Sequence, residues 1–216
     1  MSSLESVWAY REDVLYPRLF GTMSRGVFPL GTESFERLSD GDIDPRWPHL
    51  GVCEYAPTAQ RPSWLYVTSG GSTPWETEDF SSVGPDDYSW LGVEFVLETP
   101  AQADWPVRAL QRLLAYHVLA SCGRFGDTPG VDYGHRIPAG PIDGDASKLR
   151  VLAICQPDHY EATCQLDSGK FDFLHVVGIT EAERDFAKST STDELIALLK
   201  ERGAAPVTNP TRKSAV

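Results

Sequence analysis

Apolar and polar positions along this chain follow two periods. Four short apolar runs, Val27 to Leu30, Gly51 to Tyr55, Trp64 to Thr68 and Leu91 to Leu97, are bounded by clusters such as Ser69-Gly70-Gly71-Ser72 and Gly84-Pro85-Asp86-Asp87. That pattern predicts strands, and four of them ahead of the first long helix exclude an all-α fold. Leu149 to Cys155 and Phe171 to Ile179 predict two more strands. Helical spacing governs the rest. Leu4, Val7, Trp8 and Leu15 fall near one face of a short helix that Pro17 is expected to end. The clearest helix opens at Asp104-Trp105-Pro106, a capping-type Asp and a first-turn Pro, and continues through Val107, Leu110, Leu113, Leu114, Val118 and Cys122 to Gly123. Leu110 and Leu114 are expected to face the core.

Two C-terminal helices are announced by capping boxes, Thr180 with Glu183 and Ser191 with Glu194, the second helix carrying Leu195, Leu198 and Leu199 and ending at Gly203. Between the long helix and these elements, Phe125 to Ala146 is rich in Gly, Pro and Asp. At about twenty residues it exceeds the usual connection and is read as a functional loop or a packed arm. Pro206 to Val216 has little to bury and is expected to be a flexible tail, leaving one folded domain over residues 1–205. No internal repeat is present.

Charge changes the picture next. The 216 residues carry a formal net charge of −12, which argues against a nucleic-acid binder and against retention on anionic lipid. No apolar run approaches the roughly 20 residues that span a bilayer. The opening MSSLESVWAYRED has neither a basic nor an apolar leader region, so a cytoplasmic location is expected. Cys53, Cys122, Cys155 and Cys164 form no CxxC pair, and most of them read as buried thiols. The acidic charge is concentrated: between Arg61 and Arg108 there is no Lys or Arg, while Glu76, Glu78, Asp79, Asp86, Asp87, Glu94, Glu98 and Asp104 are interleaved with Trp64, Trp75, Tyr88, Trp90 and Trp105. Clustered charge of one sign speeds encounter with the opposite sign. The alternative is a solvated surface without a ligand.

Candidate chemistry is sparse. Ser72 follows a strand on a Gly-rich turn but lacks the closing Gly of a nucleophile elbow. Cys155, His159 and Cys164 have loose metal-ligand spacing without the paired thiolates of a zinc site. His135, in Gly134-His135-Arg136-Ile137-Pro138, lies in the long loop, where a backbone-bonded histidine is the plainer reading. His117 and His175 fall in apolar surroundings and read as structural. Arg108 and Arg112, one turn apart, suit a carboxylate of a partner or of the domain itself, with the internal salt bridge expected. Trp75 is open to either surface or core, and Trp90 is read as core. No phosphate loop, dinucleotide fingerprint or calcium loop occurs, and no cofactor or metal is expected.

Several segments in order are similar to those of one known family. Arg11-Glu-Asp-Val-Leu-Tyr-Pro-Arg-Leu-Phe-Gly21, Tyr66-Val-Thr-Ser-Gly-Gly-Ser-Thr-Pro-Trp75, Trp105-Pro-Val-Arg-Ala-Leu-Gln-Arg-Leu-Leu-Ala-Tyr116, Gly134-His-Arg-Ile-Pro-Ala-Gly-Pro-Ile142, Phe173-Leu-His-Val-Val-Gly-Ile-Thr-Glu181 and Asp193-Glu-Leu-Ile-Ala-Leu-Leu199 resemble the suppressor of fused domain family over about residues 5 to 205. The resemblance implies an α+β fold with a mixed, mainly antiparallel sheet flanked by helices, and a protein-binding role without established catalysis. In animals the family holds a transcription factor in a groove shared with a second domain, which this chain is not expected to reproduce. Stand-alone bacterial relatives are proposed immunity proteins that neutralise a toxin by binding it.

The reading is therefore a non-enzymatic binding domain, monomeric or weakly dimeric, whose partner is a basic toxin domain such as a nuclease. Trp75, Glu76, Glu78, Asp79, Asp86, Asp87 and His135 are its candidate partner-binding residues. The alternatives are a small hydrolase using Ser72 or His135, and an adaptor or scaffold.

Overall fold

The computed structural model describes residues 4–75 and 79–216. Its centre is one sheet built from β1 (Met23–Pro29), β2 (Gly51–Tyr55), β3 (Trp64–Ser69), β4 (Tyr88–Thr99), β5 (Arg136–Pro138), β6 (Leu149–Cys155), β7 (Thr163–Leu166) and β8 (Gly169–Thr180). The strand order is β1-β2-β3-β4-β8-β6-β5, with β7 added to the first residues of β8. Among these described strands only β4 and β8 pair in parallel, and the other strand pairs are antiparallel. The expected α+β class with a mixed, mainly antiparallel sheet is what the chain forms.

Both faces of this sheet are covered, which explains why β2, β3 and the end of β4 are buried at consecutive positions and read as unbroken apolar runs. One face takes α4 (Trp105–Ser121), whose Leu110 and Leu114 are fully buried against Tyr66, Phe95, Leu97 and Ile154. Burial of each such leucine contributes about 1.5–3 kcal/mol. Pro106 sits in the first turn as the sequence predicts, and Gly123 at φ +72° follows the last. Asp104 does not cap the helix. Its carboxylate is drawn instead to the Arg25 guanidinium at 2.8 Å, a stronger partner than a backbone amide.

The opposite face takes two layers. Near the N-terminus α1 (Leu4–Ala9), a wider π-type turn over Tyr10–Leu15 and α2 (Tyr16–Phe20) run without a break. Pro17, expected to end the helix, instead follows directly on the wider π-type turn inside the continuous helical run, and the chain turns at Gly21. Val7, Leu15, Tyr16 and Phe20 pack on Cys53, Val67, Val96 and Phe173. Further along this face α5 (Glu181–Ser189) and α6 (Thr192–Glu201) set Leu195 and Leu199 on Val151, Ala153 and Val177. The Thr180–Glu183 capping box is reciprocal, with bonds of 3.2 and 2.8 Å. At Ser191 only the hydroxyl half forms, accepting the Glu194 amide at 3.0 Å.

Residues 206–216, expected to form a flexible tail, bond to the sheet and to α5. Val207 bridges to Glu98, the Thr208 amide donates to the Glu98 carbonyl at 2.8 Å, and the Thr208 hydroxyl accepts the Gly178 amide at 3.0 Å. Arg212 then grips the buried Glu183 carboxylate at 2.5 and 2.7 Å, and the Ala215 amide donates to it at 2.8 Å. The segment has few apolar residues to bury, and backbone and ionic bonds hold it instead. Among the described residues no helix is long and apolar enough to cross a membrane.

Candidate partner-binding surfaces

The acid-rich stretch divides in two. Glu76 and Glu78 lie outside the described residues. Asp79, Asp86 and Asp87 are exposed. Asp79 accepts the Ser81 amide at 2.9 Å, which holds its carboxyl below the usual range, and Asp87 accepts the Gly84 amide at 2.7 Å. Asp86 lies 3.7 Å from the Lys170 amine. Beside them Tyr88 is 52% exposed, with Lys170 over its ring at 4.8 Å and its hydroxyl donating to Asp172 at 3.1 Å. The register of β4 against β8 slips between Tyr88 and Val93, with Trp90 at φ +53° and Gly92 at φ +66°, so Tyr88 begins the strand outside the regular ladder. Sequence reasoning did not single out Tyr88 as a contact residue, although its place directly after Asp86-Asp87 was the available signal.

Trp75 is half-buried. Its ring meets Trp8 edge-on at 5.5 Å, packs on the α4 side of the core and faces the Arg46 guanidinium at 5.7 Å, which also donates to the Trp75 carbonyl at 3.1 Å. It ties the N-terminal helix to the body of the domain. Trp90, read as core, is likewise partly buried and packed on that cluster.

Glu94 and Glu98 belong to the interior. With Val96 they share one face of β4 by the two-residue period of a strand. The Glu94 carboxylate accepts from the Gly70 and Ser72 amides at 2.9 and 3.0 Å and from the Ser72 and Thr68 hydroxyls at 2.7 and 2.6 Å, with the buried Arg11 guanidinium 3.6 Å away. Glu98 accepts from the Ser63 hydroxyl. Ser72 is accordingly no accessible nucleophile: it is fully buried, donates to Glu94 and accepts from Arg11 at 2.9 Å. The glycines ahead of it serve packing, since a Cβ on Gly71 would stand 2.2 Å from the Val93 carbonyl oxygen, and Gly70 takes φ +146° against Leu50.

His135 is half-buried in a tight turn. Its Nδ1 accepts the Asp132 amide at 3.2 Å and its carbonyl accepts the Ile154 amide at 2.9 Å, which leads the chain into β5. His117 is buried, accepts the Val131 amide at 2.9 Å through Nδ1, and is pushed down to about 4 by burial. His175 is enclosed between the Tyr160 hydroxyl at 3.0 Å and the Pro206 carbonyl at 3.2 Å. Burial pushes the thiols of Cys53 and Cys155 up to about 12 and that of Cys164 to about 11, away from nucleophilic chemistry at neutral pH. Among the described residues no group of three or more His, Cys, Asp or Glu side chains is placed to hold a metal ion.

One further surface lay outside the sequence reading. A groove of about 970 Å³ opens between α3 (Glu33–Glu36), α4 and the edge strand β5. Leu38, Ala109, Leu113, Tyr116, Ile137 and Ile142 supply apolar lining and Arg37, Arg108 and Arg112 supply charge, while Arg136, also at its edge, turns its guanidinium to the Thr192 hydroxyl and the Gly134 carbonyl. The internal salt bridge expected for Arg108 and Arg112 does not form with any described residue; the Asp104 carboxylate, one turn before Arg108, pairs with Arg25.

Comparison with known proteins places this arrangement. The family model described as suppressor of fused protein matches residues 46–213. No curated protein matches the chain. A Sufu–Fu complex structure superposes with a TM-score of 0.66 at 19% identity, covering 99% of this chain and 92% of that one. A suppressor of fused homolog from Neisseria gonorrhoeae gives 0.61 at 21% identity, covering 96% and 97%. Drosophila Suppressor of Fused gives 0.59 at 19% identity over 77% of this chain, which spans 42% of that protein's length. The match of the family model across most of the sequence settles kinship where the structural likeness alone would show only a common fold: the chain belongs to the suppressor of fused protein family.

Proposed function

We propose that this chain is a non-enzymatic protein-binding domain that acts as an immunity protein, neutralising a basic toxin domain by covering it. Family membership supports protein binding, and the Sufu–Fu complex is an instance of a relative engaged with another protein. The observation that carries the finer reading is the exposed set Asp79, Asp86 and Asp87 beside the half-exposed ring of Tyr88. Charge at such a rim sets encounter rate, while an aromatic group that becomes buried on contact supplies affinity. Occlusion of the partner's site then requires no chemistry from this chain.

The test is kinetic. A partner co-purified with the tagged chain is identified, and its association with wild type and with the Asp79→Asn/Asp86→Asn/Asp87→Asn variant is followed by surface plasmon resonance at two salt concentrations. Association should slow by roughly 10-fold at low salt and converge with wild type at high salt, where screening removes the steering. A partner whose association is indifferent to all three substitutions overturns the assignment of the acidic face. An acidic partner overturns the choice of a basic toxin.

A further inference from the structure

We infer that the groove between α3, α4 and β5 is a second docking site, which takes an acidic segment of a partner protein through carboxylate contacts and apolar side chains. This goes beyond the acidic-face reading and does not depend on it.

Three observations carry it. The groove sets three arginine side chains, Arg37, Arg108 and Arg112, against one carboxylate, Glu33, and that carboxylate lies 3.6 Å from Arg37 with both side chains largely exposed. Such a pair contributes little and is readily exchanged. Arg108 and Arg112 are exposed, one turn apart on the rigid α4, and in ion pair with no described residue. The chain has 31 acidic residues against 19 basic ones, so carboxylates are not scarce, and yet none among the described residues lies within ion-pair distance of these two guanidinium groups.

The occupant follows from the lining. Guanidinium forks favour bidentate carboxylates. A small anion such as citrate or phosphate would use the arginines and leave Leu38, Leu113 and Ile137 uncovered. A peptide segment carrying both acidic and apolar side chains satisfies the two halves of the surface together. At about 970 Å³ the groove has room for several side chains, being at the upper end of the roughly 300–1,000 Å³ typical of ligand pockets. The net charge of −12 would repel an acidic segment at long range, but the clustered Arg37, Arg108 and Arg112 reverse the local field at contact distance.

A phage-displayed random peptide library selected on the intact chain tests this. Peptides enriched on wild type should combine Asp or Glu with large apolar residues. As synthetic fluorescein conjugates, their anisotropy-measured affinity should fall about 10-fold or more for Arg108→Glu/Arg112→Glu and also fall for Ile137→Ser, with thermal melts of the arginine variant unchanged. Binding should persist in millimolar citrate. Failure to enrich acidic peptides, enriched peptides indifferent to both variants, or full displacement by citrate would each overturn the inference. None of these outcomes bears on Asp79, Asp86 or Asp87, so the two surfaces are judged separately.

Discussion

The two ends of one acid-rich stretch meet opposite fates. Asp79, Asp86 and Asp87 stand in solvent on a loop, with a local amide bond or a long contact to Lys170. Glu94 and Glu98, in the strand that follows, are excluded from solvent. The residue types hardly differ; the element does. A strand in a sheet covered on both faces gives its side chains no route to water, so each carboxylate there requires dedicated partners. Glu94 has four hydrogen-bond donors and Arg11. A run of like charge is therefore a surface only where topology leaves it outside.

The sharpest way to break that contrast is Glu94→Ala. It would leave Arg11 buried without its central counter-charge and strand the donors of Gly70, Ser72 and Thr68. Breaking a buried pair in this way costs about 3–5 kcal/mol. Chemical denaturation should show that loss, and Arg11→Ala combined with Glu94→Ala should cost less than the two singles added. A loss under about 1 kcal/mol would put Glu94 in the same class as the loop aspartates.

The same contrast marks what could be read from the sequence. β2 and β6 match the expected bounds, because strands buried on both faces appear as apolar runs between turn residues. α4 was legible from its spacing and Pro106. β7 was missed since Thr163–Leu166 is four residues long with alternate positions exposed, and it forms only on the template of β8. β5, three residues ending in Pro138, likewise takes its register from β6. Of the candidate site, the exposure of Asp79, Asp86 and Asp87 followed from loop composition. The interior placement of Glu94 and Glu98 did not, because nothing local reveals that a second layer covers the strand. The groove could not be read at all: it joins residues near 30–38, 108–116 and 136–144, which only the fold brings together.

An intermediate case sharpens the comparison. Glu183 is fully buried, yet its counter-charge comes from Arg212 in the segment expected to be loose. Burial alone would push the Glu183 carboxyl up, but Arg212 and the Thr180 and Ala215 amides outweigh it and hold the group below the usual glutamate range. A depressed folded-state value means that this stabilisation is present above the ordinary glutamate pKa and is lost as pH falls through the lower, folded one. Arg212→Ala should cost about 2 kcal/mol at neutral pH and weaken acid resistance, with faster proteolysis at residues 206–216. A variant with unchanged melt and unchanged acid midpoint would show that the backbone bonds of Thr208 hold the segment without the ion pair.

The smallest expected effect belongs to the loop. Asp86 is 99% exposed at its side chain and 3.7 Å from Lys170, a geometry in which screening leaves little net attraction. Asp79 and Asp87 each accept one local amide that water can replace, and an Asn oxygen can accept the same bond. Asp79→Asn/Asp86→Asn/Asp87→Asn should therefore move the unfolding free energy by no more than about 0.5 kcal/mol, and relief of like-charge repulsion makes a small gain as reasonable as a small loss. Measured by denaturant titration beside Glu94→Ala, it sets the lower end of the scale that the buried carboxylate sets at the top. A loss above about 1 kcal/mol would mean that these aspartates hold the β3–β4 connection in shape, and any slowed association in the same variant would then reflect a distorted Tyr88 surface instead of lost steering.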